Sequence, residues 1–150
     1  MIDNKYVPSE DGITHINIYS KGKTEIGRFA SNFAFSPFEC EDGKFDSIEG
    51  YWYWLTINPS NPRRDELRKL YGFEAKRIGR ELRGKDWNSD EEFKKKICNA
   101  IKIKFESNLK MFELLKAINL PLTHYYVFYG VVKTVNNGEW ILNFLNELRK

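Results

Sequence analysis

The sequence predicts an α+β fold that is mainly α: a compact helical domain with small β-hairpin and sheet elements in its N-terminal third. Three observations carry this. β-branched and aromatic runs separated by Gly-containing turns occupy the stretch before residue 48. Helical signals dominate after it, with caps, a proline stop and an apolar stripe at spacings of three and four. The chain has 150 residues, 41% hydrophobic and 15% aromatic, which is enough for one sizeable core and a single domain over 1–150.

Residues 1–12 are polar and read as a loose lead-in. Residues 13–19 are rich in β-branched side chains and alternate in patches, which predicts a strand. Lys21-Gly22-Lys23 is a turn, and 24–29 returns as the partner strand. Residues 37–41 and 44–47 form a hairpin turning at Asp42-Gly43, because Asp-Gly supplies the positive φ angles of a tight turn. Ser47 is an N-cap for a helix over 48–57, and Asn58-Pro59 stops it. Pro62 then takes a first-turn position, and 63–71 and 73–82 read as two short helices broken at Gly72.

Ser89-Asp90-Glu91-Glu92 is a capping box that opens the longest helix, running to about Ala117. Phe93, Ile97, Ile101, Phe105, Leu109, Phe112 and Leu115 define its buried stripe. Lys104 and Asn108 fall inside this apolar arc and are neighbours four residues apart. A lysine on a core-facing arc is costly unless its amine is paired, opens into a cleft, or snorkels past the stripe to water. Pro121 ends the helical region, 122–132 reads as a core strand, Asn136-Asn137-Gly138 as a turn, and 139–149 as a closing amphipathic helix burying Trp140, Phe144, Leu145 and Leu148.

The net charge of +3 does not demand a nucleic acid but permits an anionic ligand. Residues 63–85 are basic, and either form a solvated face or lend one or two arginines to a phosphate. Cys40, Cys98, His15 and His124 are scattered, so no metal site is expected. With no signal peptide and no long apolar run, a cytoplasmic protein without membrane contact is expected. Frequent Lys, Asn and Ile match the usage of an AT-rich genome, such as that of a phage or a low-GC bacterium.

Glu49 is the carboxylate of interest. It stands in the first turn of an aromatic-rich helix, where the helix dipole favours an acid whether or not chemistry takes place there. The wording around it is Ser31-Asn32-Phe33, then Asp42-Gly43-Lys44-Phe45, then Ser47-Ile48-Glu49 leading into Gly50-Tyr51-Trp52. Further on come Ala75-Lys76-Arg77-Ile78-Gly79, Asp86-Trp87, Lys104-Phe105 with Asn108, Tyr129-Gly130, and a closing segment from Leu145 to Arg149. In order and spacing, over roughly residues 16–149, these resemble the NADAR (NAD- and ADP-ribose-associated, or YbiA-like) superfamily. The sequence departs from that pattern at Gly50, where the family has His, and at Tyr53 and Thr56, where it has Gln and Lys. It departs again at Trp140 and Asn143.

The resemblance implies an N-glycosidase that acts on a ribosyl or ADP-ribosyl nucleotide, including ADP-ribosylated nucleic acid, and needs no cofactor. Glu49 and Lys104 would be catalytic. Glu49 would stabilise an oxocarbenium-like state or orient water, and Lys104 would fix Glu49 electrostatically or form a Schiff base. Arg28, Ser31, Asn32, Asp86, Trp87, Asn108, Tyr129 and Gly130 would bind substrate, with Trp87 and Tyr129 stacking on a base and Arg28 holding a phosphate. The alternative is a module that binds ADP-ribose, NAD or a related nucleotide without cleaving it.

Overall fold

The computed structural model describes residues 6–84, 90–135 and 138–150. The fold is α+β and mainly α, with three two-stranded sheets among the described residues. The chain groups into two compact units, Met1–Ser31 with Leu109–Lys150, and Asn32–Asn108.

In the first unit, residues 6–12 are ordered rather than loose. Pro8–Glu10 forms a 3-10 turn, and the buried Asp11 carboxylate accepts the amides of Asn17 and Lys23, both at 2.9 Å. The strand expected over 13–19 shrinks to β1 (Ile16–Asn17), which pairs in parallel with β4 (Leu122–Thr123). Its expected partner, 24–29, is instead helix α1 (Glu25–Ala30). Thr24 caps that helix by accepting the Gly27 amide at 2.9 Å, and Glu25 sits in its first turn. This local capping signal outweighs the expectation that the chain returns as a strand after the Lys21-Gly22-Lys23 turn. Gly27 is required there, because a Cβ would lie 2.4 Å from the Asn17 carbonyl oxygen.

The single strand expected over 122–132 is three strands. After β4 come β5 (Tyr125–Phe128) and β6 (Val131–Thr134), an antiparallel hairpin that turns at Tyr129 and Gly130. Both turn residues have positive φ, 50° and 75°, as a two-residue type I′ turn requires. Helix α6 (Glu139–Leu148) starts at Gly138 and fully buries Leu145, while Trp140, Phe144 and Leu148 stay partly accessible. Asn136 and Asn137 of the expected turn lie outside the described residues.

In the second unit, β2 (Phe38–Cys40) and β3 (Gly43–Phe45) make the expected hairpin one residue early. Cys40 pairs with Gly43, so Glu41 and Asp42 form the turn and Gly43, at φ 108°, opens the return strand. Helix α2 (Ile48–Thr56) is capped by Ser47, whose Oγ accepts the Gly50 amide at 2.9 Å. Residues 63–71 give a 3-10 segment, Arg64–Lys69; the expected break falls at Leu70-Tyr71 rather than Gly72, which opens α3 (Gly72–Arg83). Phe38, Phe45, Tyr51 and Trp54 pack ring on ring, with the Arg64 guanidinium 3.4 Å from the Trp54 centroid.

The long helix is two. In the second unit, α4 (Glu91–Glu106) is capped by Asp90 through the Phe93 amide at 2.8 Å, and Ser89 of the expected capping box lies outside the described residues. It buries Phe93, Ile97, Ile101 and Phe105 as the stripe predicts. The chain breaks helix at Ser107-Asn108, and α5 (Leu109–Ala117) of the first unit restarts it. The stripe shifts there: Leu109 is 70% exposed and Phe112 only partly buried, while α5 buries Leu115 as expected together with Met111. No helix among the described residues is long and apolar enough to cross a membrane.

Candidate functional site

Glu49 is placed by three local features. Ser47 fixes the start of α2, Gly50 lets the 3-10 segment close on it, and the Glu49 amide donates to the Asn32 carbonyl at 2.9 Å. A Cβ on Gly50 would stand 2.5 Å from the Leu67 carbonyl oxygen and 3.2 Å from that of Leu70. No larger side chain fits after Glu49 in this packing, which accounts for the glycine where the resembled family has His. Ser47 Oγ also donates to Leu70 O at 2.8 Å, tying the cap to the same segment.

The Glu49 side chain keeps some accessible surface, yet burial raises its carboxyl to about 7, against the opposing pull of Lys76, Arg80 and Arg83. At neutral pH it is present in comparable amounts as acid and as carboxylate. That suits proton transfer and the stabilisation of positive charge.

Lys104 lies on the buried face of α4 and is 1% exposed. Burial lowers its amine to about 7. The snorkelling reading is thereby excluded, since the side chain ends inside the protein. Its helix packs against α2, the helix of Glu49. Trp52 of α2 meets Phe93 of α4 edge to face at 4.8 Å.

The remaining sequence-derived residues are distributed as follows. In the second unit, Asn32 offers its carbonyl to Glu49. Asn108 does not share a helical arc with Lys104: it is exposed in the break after α4. In the first unit, Arg28 is exposed and donates to Gly22 O at 2.9 Å, and Ser31 is buried at the end of α1. Tyr129 is 92% exposed at the tip of the β5–β6 hairpin, beside Gly130. Asp86 and Trp87 lie outside the described residues.

The charges that reach Glu49 were not singled out by sequence. They come from α3, at positions 76, 80 and 83. Their signal was present as spacings of four and three within the basic stretch, which put three cations on one helix face. The neighbouring arginines are engaged elsewhere. Arg63 pairs with Glu66 and Glu81, Arg68 with Asp65, and Arg77 with Glu74, while Arg64 donates to the Trp54 carbonyl at 2.8 Å. Among the described residues no group of three or more His, Cys, Asp or Glu could hold a metal ion.

A small, mainly helical α+β fold with a desolvated carboxyl at the start of a helix is the class these observations define. No model of a protein family matches the chain, and no curated protein does. Among solved structures, the NMR structure of the E. coli protein YbiA is similar, with a TM-score of 0.66 and 23% identity over 93% of this chain and 88% of that one. The likeness establishes a YbiA-like fold.

Proposed function

We propose that the protein hydrolyses the N-glycosidic bond of a ribosyl or ADP-ribosyl nucleotide, the latter free or attached to nucleic acid. The observation that carries this reading is Glu49: a carboxyl held near neutrality by burial, on a backbone fixed by Ser47 and Asn32. In the reaction the C1′–N bond breaks and its electron pair leaves with the base nitrogen, which takes up a proton from solvent, balanced by the one Glu49 later returns to solvent. Positive charge develops on the sugar ring, and the Glu49 carboxylate stabilises it. Water then bonds to C1′ and gives its proton to Glu49.

Lys104 acts on the electrostatics and orientation of the site rather than as the nucleophile. Its near-complete burial supports this, since attack on C1′ needs an amine that reaches substrate. The Asn32 side chain is suited to ribose hydroxyls or a base edge.

The test is mass spectrometry of products from a panel of ribosyl and ADP-ribosyl compounds, with Glu49→Gln as control. The wild type is expected to release a free base from at least one compound. Glu49→Gln is expected to lose about 10²–10⁴-fold in rate while keeping its fold. Near-normal turnover by that variant would remove Glu49 from the chemistry. Binding of a panel compound without product would instead favour a nucleotide-binding module.

A further inference from the structure

In the unit that carries Glu49, the large apolar side chains left exposed among the described residues are Phe35, Tyr71 and Phe73, at 57%, 53% and 69%. The rings of Phe38, Phe45, Tyr51, Tyr53, Phe93 and Phe105 in the same unit are buried. Single exposed rings scattered over a surface need no explanation, but exposed rings gathered in one place do.

The backbone gathers these. Residues 32–36 form a strap tied at three points. Asn32 O accepts the Glu49 amide at 2.9 Å, Phe33 O accepts the Gly72 amide at 3.0 Å, and the Ser36 amide donates to Asp46 O at 2.8 Å. Gly72, at φ 60°, opens α3 between Tyr71 and Phe73. The strap thus links the residue that holds the Glu49 backbone to the start of α3. Phe35 follows Asn32 by three residues, a span of at most about 11 Å.

Phe35 and Tyr71 meet edge to face, with centroids 5.3 Å apart and planes at 69°. This contact fixes the two rings against each other and leaves a face of at least one of them uncovered by its neighbour. With both side chains more than half exposed, ring face stays open to water on a backbone that is tied down. A flat aromatic ligand would cover it by stacking. A sugar offers no such face. A protein partner fits poorly, because three side chains fall far short of the about 800 Å² that a stable interface buries on each partner.

We infer that Phe35 and Tyr71 form a stacking subsite for the aromatic leaving group of the ribosyl substrate, a nitrogen heterocycle bonded to C1′. The inference rests on the glycosidase reading for which bond is broken, but the subsite binds the base with or without turnover. Stacking orients the base before its bond to C1′ breaks.

The experiment is isothermal titration of two pairs of compounds into the Glu49→Gln protein, so that hydrolysis does not enter. Guanosine 5′-monophosphate is paired with ribose 5-phosphate, and NAD with ADP-ribose. Each pair shares sugar and phosphate and differs by the base on C1′. Phe35→Leu and Tyr71→Leu, which keep apolar bulk and lose the flat face, are added in turn, as are Phe35→Tyr and Tyr71→Phe, each checked for folding by its melting curve. In at least one pair the base-bearing compound is expected to bind about tenfold or more tightly. Each leucine variant is expected to weaken that compound about tenfold and to leave its base-free partner unchanged, while Phe35→Tyr and Tyr71→Phe keep the preference. Equal binding within both pairs overturns the subsite. So does a preference that survives either leucine variant, and so does an equal loss for base-bearing and base-free compounds, which would mean that the rings only support the fold. A base preference carried by the two rings, in a protein whose wild type releases no base, would defeat the glycosidase reading and leave the subsite standing. Release of base with equal binding within both pairs would do the reverse.

Discussion

Both compact units bury ionisable side chains, but to different ends. In the first unit, fully buried His15 accepts or donates through Nε2 to the Tyr125 hydroxyl at 2.6 Å and through Nδ1 to Thr14 at 2.9 Å. Asn17 beside it donates to the Tyr125 carbonyl and accepts the Tyr125 amide, and the Asp11 carboxylate caps two backbone amides. Burial lowers the His15 pKa, which keeps the ring neutral and its hydrogen bonds in place. In the second unit, burial instead brings Glu49 and Lys104 to about 7, from opposite sides. A buried polar group whose bonds are complete is holding the fold together, and removing it should cost stability. A buried group brought to neutrality costs the fold something, and under the proposed function it serves the chemistry.

The sharpest test is Lys104. Above about pH 10.5 its amine is neutral whether the chain is folded or not. As the pH falls towards 7 the unfolded chain takes up a proton that the folded chain refuses, so stability drops through that window. Lys104→Met keeps the length and removes the charge. It is expected to flatten this slope and to be more stable than wild type at pH 7 by about 2–4 kcal/mol. Urea unfolding at pH 7 and pH 10 reads both quantities. Parallel pH dependence in the two proteins would show that burial of Lys104 is not what the wild type suffers from.

Glu49 gives the mirror image at smaller size. Its pKa is raised from 4.5 to about 7, so its favourable contribution is complete below pH 4.5 and lost as the pH rises through 7. Glu49→Gln is expected to match wild type near pH 4 and to exceed it by about 2 kcal/mol at pH 8, allowing for partial exposure. A variant that is less stable at pH 8 would place Glu49 with His15, among the structural groups. Tyr125→Phe supplies the opposite sign. It leaves a buried His15 nitrogen without its hydroxyl and is expected to cost about 1–3 kcal/mol, read by the same unfolding curves.

Much of the second unit was legible because its signals are local. Ser47 before Ile48-Glu49 is a cap, Asn58-Pro59 is a stop, and the stripe from Phe93 to Phe105 has helical period, and all three appear as read. The first unit was misread where local and composition signals disagree. Thr24-Glu25 is a cap and a first-turn acid inside a stretch that follows a turn and reads as the returning strand. Tyr129-Gly130 turns the chain because tyrosine accepts a positive φ there, which composition does not announce. The break at Ser107-Asn108 was hidden because the apolar spacing continues across it. At the site, burial of Lys104 followed from its arc. The charges on Glu49 did not, because they depend on α3 packing against α2 through Gly79, a contact distant in sequence.

Ser47 is the smallest and most instructive case, because it lies two residues from Glu49 yet belongs by its bonding with His15. Its hydroxyl is fully buried, accepts the Gly50 amide and donates to the Leu70 carbonyl. Both capacities are used and neither depends on a titratable partner. Ser47→Ala should therefore cost about 1 kcal/mol at every pH from 5 to 9, unlike the changes at Glu49 and Lys104. Because the cap sets where α2 begins, the variant should also lower kcat on an active substrate, with Glu49 still titrating near neutrality in the pH–rate profile. If the profile of Ser47→Ala instead lost the Glu49 transition, the hydroxyl would be acting on the carboxyl itself. The line between groups that hold the fold and groups that run the chemistry would then pass through α2 at Ser47 rather than at Glu49.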